Sequence, residues 1–352
     1  MSKFAKHSNQ HRGFSLIELL VASLIGVFVM AGAIKVYSSN KTTYQLQEAM
    51  SEAQKNGRFI LNRLTSRIQG SGYSGFYSSY SDGVESALNT PTSEMWNIAQ
   101  PVKGYDNVSA TTTIAGITGF YADNDVILVK TMVDPVDLES NVASDELIVA
   151  ATTNYTISDI LVVADHEQAS IFQIDSADTT TVAGQTAVTL SSGATTSPGN
   201  SKALDNSYST NAVVGKLESI MYYMKSGNNG RPALYEAKLV TADGETAAMN
   251  EKEIIANVEG FQISYGVDTS GDDAINSYET AASIESNSQW PNVKSIGISL
   301  LLSSSNANIT PENNSYSFDA DAFTFEKDTI PASGADKRIR RVFNTYVALK
   351  NL

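Results

Sequence analysis

Oxygen-bearing side chains recur at regular intervals in the stretch DTSGDDAINSYE, residues 268–279. They fall at positions 1, 3, 5, 9 and 12 of a loop, where an EF-hand places its calcium ligands. Position 6, normally glycine for a sharp turn, is aspartate here, and the flanks read as strands rather than helices. We therefore predict a candidate calcium loop, with a solvated acidic hairpin as the alternative. Its ligands would be Asp268, Ser270, Asp272, Asn276 and Glu279.

Histidine and cysteine chemistry have few candidates, because the chain contains three histidines and no cysteine. His166 stands between Asp165 and Glu167, but adjacent residues of a strand point to opposite faces and do not make a ready catalytic triad. Without cysteine, disulfides and thiolate sites are impossible. We predict that the chain is not an enzyme and that His166 lies in a loop or at a strand end. Apart from the candidate calcium loop, no cofactor is predicted.

The charge balance is acidic, with 38 Asp and Glu against 24 Lys and Arg and a formal net charge of -14. Such a surface repels phosphate backbones, which argues against a nucleic-acid partner. The run KRIRR at residues 337–341 is a basic exception. We interpret it as a solvated strand entrance, with docking onto an acidic neighbouring subunit as the alternative.

A carboxylate lies near the start of a long apolar run in RGFSLIELLVASLIG. This is Glu18, and no other charge appears from Leu19 to Ile34. A carboxylate in a membrane helix costs up to about 3 kcal/mol and usually marks a functional residue. If the chain is cleaved after Gly13, the ammonium group of Phe14 becomes a candidate partner for Glu18 of a neighbouring helix.

Such a pairing requires a helix in a membrane, and residues 16–37 are apolar enough to form one. Their number is close to the roughly 20 residues that a bilayer requires. Lys3, Lys6 and Arg12 precede the span without any acidic residue. By the positive-inside rule the N-terminus stays cytoplasmic and the rest lies outside. An ordinary signal cleaved after residues 31–33 (Ala-Gly-Ala) and a plain membrane anchor remain alternatives.

The apolar pattern continues past the membrane span, and its period identifies a helix. Between residues 46 and 68 apolar residues recur at spacings of three and four, and glycines at 70 and 72 end the pattern. We predict one N-terminal helix over residues 14–70, whose second half is amphipathic.

The remainder of the chain reads as strands. Residues 71–120 are predicted as a connecting loop region and residues 121–352 as a β-rich globular domain. Alternation at 261–267 and 296–302 predicts strands with one buried face. The predicted fold class is α+β, with the second half of the long helix packed on a C-terminal antiparallel β-sheet domain.

The N-terminal motif resembles the class III signal of type IV pilins and pseudopilins. A basic leader ends at Gly13, and Phe14 begins the apolar run. Glu18 would be the fifth residue of the mature chain. The resemblance implies that residues 1–13 are a prepilin leader peptide, which a prepilin peptidase removes between Gly13 and Phe14 on the cytoplasmic side. It further implies that the Phe14 amine is methylated and that Glu18 registers the subunit against its neighbour during assembly.

Three further stretches narrow the resemblance to the PilW group of minor pilins, with the J-type minor pseudopilins as relatives. They are NGRFILNRLTSRIQGSGYSGF, DILVVADHEQASIFQI and RIRRVFNTYVALKNL. The family pattern has cysteine where Phe76 and His166 stand, so a disulfide pair is lost here. The resemblance implies that the Cα atoms of these two residues lie within about 7 Å of each other, the distance that a disulfide can bridge.

The resemblance implies a minor pilin in a priming or capping complex of type IV pilus assembly. Its partners would be the inner membrane, a prepilin peptidase and other minor and major pilins. The globular domain would be periplasmic, and the subunit could enter the surface pilus. One alternative is a minor pseudopilin of a type II secretion system, and another is a membrane-anchored adhesin or hydrolase.

Overall fold

A single long helix precedes all strands in the computed structural model. Helix α1, Leu16–Gln69, has 54 residues and begins at the N-cap Ser15. From Ala49 onward it buries one face, whereas its N-terminal half is exposed along its whole circumference. The predicted long N-terminal helix is therefore confirmed. The structure describes residues 14–75, 84–143, 146–150, 154–178, 185–189, 197–242, 245–309, 317–320, 323–326 and 336–351.

The larger of the two main β-sheets is built around its two longest strands, which pair antiparallel with each other. Eleven strands belong to it in the described part of the chain. They are β1 (Val84–Ser86), β2 (Val102–Val108), β3 (Asn124–Ala143), β4 (Glu146–Ala150), β5 (Ile160–Ala164), β6 (Ala169–Gln173), β7 (Ser176–Asp178), β8 (Gln185–Thr189), β9 (Val213–Ser226), β10 (Pro232–Val240) and β11 (Ala248–Ala256).

The strand order of this sheet is β1-β6-β5-β9-β3-β4-β8-β7. Strand β2 joins β3, while β10 joins β9 and carries β11 on its other side. All pairings are antiparallel except that of β1 with β6. The turn from β9 to β10 passes through Gly230, whose φ of 74° suits a residue without Cβ.

The second sheet is smaller, antiparallel and contains the C-terminal strand. Its order is β13-β12-β14-β17, and a separate hairpin is formed by β15 and β16. A short helix and a 3-10 turn connect β13 to β14. These elements are β12 (Val258–Val267), β13 (Ser277–Glu279), α2 (Ala281–Ser286), the 3-10 turn (Trp290–Asn292), β14 (Val293–Ser303), β15 (Ser317–Ala320), β16 (Phe323–Glu326) and β17 (Arg340–Ala348).

The second half of α1 shares one core with both sheets. Ile60, Leu64 and Ile68 of the helix are fully buried. They belong to the same apolar cluster as Tyr222 of the larger sheet and Phe261 of the smaller one. An amphipathic helix that buries its apolar face on two sheets gives an α+β fold, as predicted.

Two details of the domain differ from the sequence-based expectation. Residues 71–120, expected to be a connecting loop region, contain β1 and β2, and both strands join the larger sheet. The strands over 258–267 and 293–303 bury both faces rather than one. Polar residues at the alternate positions are themselves covered: Gln262, for example, is buried and donates from its side chain to the Asp123 carbonyl.

Candidate assembly site

The first turn of α1 contains a reciprocal pair of hydrogen bonds that involves Glu18. The Ser15 backbone N–H donates to Oε2 of Glu18 at 2.9 Å, and the Glu18 N–H donates to Oγ of Ser15 at 3.2 Å. This is a capping box, which satisfies two N–H groups that the helix itself leaves unpaired. One carboxylate oxygen of Glu18 therefore already has a partner within its own chain.

The apolar half of α1 is exposed to an extent unusual for a folded protein. Phe14 is 88% exposed, Leu16 is 79% exposed, and the next large apolar side chains are exposed as well. Within the described residues, α1 is the one helix long and apolar enough to cross a membrane, although a signal sequence has the same properties. An exposed apolar surface of this size requires a membrane or neighbouring helices to cover it.

The amphipathic half of α1 is attached to the larger sheet by a paired arginine. Arg63 donates from Nε and Nη2 to the two oxygens of Glu236 on β10, at 3.0 and 2.8 Å. Tyr222 on β9 donates to the same carboxylate at 2.8 Å. Burial alone would raise the pKa of Glu236, but these hydrogen bonds outweigh it and hold the pKa below its usual value.

A second ion pair lies one helical turn further along α1. Arg67 donates to Oε2 of Glu218 at 2.7 Å, and Lys238 donates to Oε1 of the same residue at 3.0 Å. Glu218 lies on β9 and Lys238 on β10. The two arginines thus fix the rotation of α1 relative to the sheet, so the direction in which its exposed half projects is defined by the domain.

The two sheets are joined at the start of β3 by a pair of polar residues that sequence reasoning missed. Asn124 accepts from the Phe261 N–H at 2.8 Å, and Asp125 accepts from the Ile263 N–H at 2.7 Å. Burial raises the pKa of Asp125 to about 7, although the N–H groups of Asn107 and Ile263 donate to its carboxylate and oppose the shift. Their only signal in the sequence is an Asn-Asp pair before an apolar strand, which is also typical of a turn.

The basic run 337–341 is not the solvated strand entrance that we expected. Arg340 is only 4% exposed and forms ion pairs with Glu259 on β12 and with Asp336. Arg231, on the turn before β10, pairs with the same glutamate at 2.8 Å. The side chains of Arg340 and Glu259 are both buried, and loss of either would leave the other charge uncompensated, so this part of the run holds β17 to the domain instead of facing solvent.

The predicted calcium loop forms a turn held together by its own hydrogen bonds. Asp268 accepts from the N–H groups of Ser270, Gly271 and Asp273. Ser270 Oγ contacts Asp272 and Asn276 as well. Position 6, Asp273, has a φ of 62°, the left-handed conformation that EF-hands reserve for glycine.

The fifth predicted ligand does not join this network. Glu279 accepts instead from Ser277 at 2.9 Å and from Ser283 at 3.0 Å, toward α2. Among the described residues no group of three or more histidine and acidic side chains is placed to hold a metal ion. These contacts favour the acidic hairpin, and calcium binding stays a prediction.

His166 occupies a tight turn between β5 and β6. The turn is closed by Asp165, which accepts from the N–H groups of Glu167 and Gln168. His166 itself is 78% exposed, and its ring contacts Glu167 at 3.4 Å. Since Asp165 is engaged with the backbone, the three residues do not form a catalytic arrangement. Gly13 and Phe76 lie outside the described residues, so the cleavage site and the distance from Phe76 to His166 stay predictions.

Comparison with known families gives two matches in separate parts of the chain. Residues 8–34 match the prokaryotic N-terminal methylation motif. Residues 221–351 match the family described as type IV pilus-assembly protein W, an interval that begins within β9 and includes the whole smaller sheet. With its long apolar helix and its methylation motif, the chain is similar to type IV pilin-like proteins that carry a prepilin signal. Its C-terminal part is similar to the PilW group of minor pilins.

Among solved structures, one type IV-like pilin is similar to this chain over most of its length. The type IV-like pilin TTHA1219 from Thermus thermophilus is 11% identical in sequence, with a TM-score of 0.34. The alignment covers 86% of this chain and 96% of the Thermus chain. No curated protein matches the sequence significantly.

Proposed function

We propose that the protein is a minor pilin that acts in the complex which primes or caps a type IV pilus. The observation that carries the proposal is the position of Glu18, in the first turn of the exposed apolar half of α1 and inside the matched methylation motif. Both matched families describe structural and processing features of pilus proteins rather than catalysis. The domain would therefore supply contacts with neighbouring subunits.

The proposed sequence of events begins in the inner membrane. A prepilin peptidase cleaves between Gly13 and Phe14, and the new amine is methylated. The amine then pairs with Glu18 of a neighbouring major or minor pilin, while the globular domain remains in the periplasm or enters the surface pilus. A carboxylate and an ammonium group attract strongly in a medium of low dielectric constant, where each would be costly alone.

The capping box suggests how to test the pairing. Glu18→Ala removes both the charge and the hydrogen bond to Ser15, whereas Glu18→Gln removes the charge and retains a side chain that can complete a capping box. Glu48→Ala changes an exposed glutamate of the same helix beyond the predicted membrane span and serves as the control. The assay is co-purification of the other pilins with each variant from solubilised membranes.

We expect both Glu18 variants to insert into the membrane as the wild type does. Each Glu18 variant should co-purify about tenfold less of the other pilins than the wild type does. This corresponds to a loss of about 1.4 kcal/mol in the free energy of association. Glu48→Ala should behave as the wild type. Normal recovery with Glu18→Gln but not with Glu18→Ala would show that Glu18 acts only as a helix cap, which would contradict the pairing.

A further inference from the structure

Along one edge, strand β9 pairs first with β5 and then with β10, and a gap lies between these two partners. Its residues 213–216 pair with β5, and its residues 220–226 pair with β10. On the opposite edge, β3 pairs with β9 throughout this interval, including Leu217, Glu218 and Ser219. Among the residues that the structure describes, these three therefore have a strand partner on one side only, in the interior of the sheet.

A cleft of about 280 Å³ lies at this gap. The start of β5 borders it on one side and the end of β10, residues 238–241, on the other. Leu217, Leu239 and Val240 give it an apolar lining, and Val240 remains 44% exposed. The gap thus combines unpaired strand backbone with apolar surface.

The charged side chains that border the cleft are paired with one another. Lys216 contacts Asp159 at 2.8 Å, and Lys238 contacts Glu218 at 3.0 Å. The other oxygen of Glu218 accepts from Arg67. A charged ligand would have to displace one of these pairs, whereas a neutral amide backbone would not. The cleft is therefore better matched to an uncharged peptide than to an ion.

We propose that this cleft binds a short extended peptide segment, whose main chain pairs with residues 217–219 of β9. An edge strand with unpaired N–H and C=O groups recruits an added strand in this way, and pockets along it select the side chains. At about 3.3 Å per residue, the gap accommodates two or three residues. β-branched side chains at successive positions of the segment would lie against Leu239 on one face and Val240 on the other. The proposal does not depend on the pilus function.

The test is residue-resolved hydrogen exchange of the full chain in detergent, with acetyl-Val-Thr-Val-amide as the probe. At a probe concentration about four times the dissociation constant, binding slows exchange of an occluded amide about fivefold. We expect this slowing at one or two of the amides of residues 217–219. The same tripeptide with its amide nitrogens methylated keeps the side chains but cannot donate, and it should slow none of them.

Two variants provide the structural control. Val240→Asp places a carboxylate in the apolar part of the cleft and should abolish the slowing. Ile275→Asp makes the same change at another exposed apolar position, 41% exposed and remote in the fold on the 268–276 turn, and should leave it intact. Unchanged exchange at residues 217–219 with the probe would overturn the proposal. Equal protection by the methylated probe, or in Val240→Asp, would overturn it too.

Discussion

Gly57 of α1 lies directly against the ring of Phe343 on β17. A Cβ atom added to Gly57 would be 2.4 Å from two carbons of that ring, closer than any real contact. Because Gly57 has no side chain, the long helix and the C-terminal strand can pack closely at this point. Because β17 lies in the segment that matches the pilus-assembly family, this contact connects the N-terminal helix to the family-specific part of the domain.

Gly57→Ala should destabilise the domain, although alanine is the better helix former. The gain in helix propensity is about 1 kcal/mol, while overpacking a tight contact costs about 1–3 kcal/mol. We expect a lower melting temperature in detergent, measured by circular dichroism. Gly32→Ala is the matched control, because a Cβ there meets no atom within 4 Å. A higher melting temperature for Gly57→Ala would mean that Phe343 moves aside without cost.

Arg63→Met should weaken the attachment of α1 to the sheet. It leaves the carboxylate of Glu236, which is 3% exposed, without its main partner. Removal of one partner of a buried pair costs about 3 kcal/mol, and the exposure of Arg63 at 32% places the expected loss nearer about 2 kcal/mol. Urea unfolding of the full chain in detergent measures it, with the exposed Arg58→Met as the control.

The effect of Arg63→Met should also depend on pH. Because the pKa of Glu236 is lowered in the folded protein, its contribution is present above the pKa of the unfolded chain. The contribution is lost as the pH falls through the folded-state pKa. The difference between wild type and variant should therefore shrink as the pH is lowered from 7 toward 3. A constant difference over that range would contradict the ion pair.

Lys130→Met should stabilise the protein, and more so at low pH. Lys130 is buried, donates to the Gln100 carbonyl at 2.8 Å, and burial lowers its pKa to about 7. Between that value and the ordinary lysine pKa the unfolded chain binds more protons, so wild-type stability rises with pH. The gain from Lys130→Met should be larger at pH 6 than at pH 9. The exposed Lys252→Met should leave the stability unchanged and serves as the control. An equal gain from Lys130→Met at both pH values would refute the assignment.

Asp268→Ala should lower the melting temperature equally with and without calcium. The side chain closes the turn through backbone N–H groups, and its loss removes those hydrogen bonds whether or not an ion is present. These hydrogen bonds also hold the pKa of Asp268 below its usual value, although burial opposes them. A calcium-dependent rise in the wild-type melting temperature that Asp268→Ala abolishes would instead establish the EF-hand-like site.

The long helix was predictable because its signals are local. The apolar run, the spacing of Gly13, Phe14 and Glu18, and the repeat that ends at Gly70 all lie in one continuous segment. The turn at Gly230 is local in the same way, since residues 227–230 are Gly-Asn-Asn-Gly between two apolar stretches. Each of these features is determined by neighbours a few residues away along the chain.

The contacts that hold the helix to the domain depend on residues far apart in sequence. Arg63 and Glu236 are separated by 173 positions, and nothing at either position indicates the other. Arg340 looked solvated because a basic run usually is, and only the buried Glu259 across the sheet changes that. The calcium spacing fits two structures for a different reason, since an aspartate at the start of a turn serves the backbone as readily as an ion.

The N-terminus of the mature protein tests the central claim most directly. Mass spectrometry of the protein purified from membranes should find a chain that begins at Phe14 and carries one methyl group on its amine. Gly13→Val should retain the leader, because a side chain branched at Cβ hinders the close approach of a peptidase to the backbone. A mature start beyond Ala33, or an intact leader on the wild-type protein, would contradict the account of a processed minor pilin.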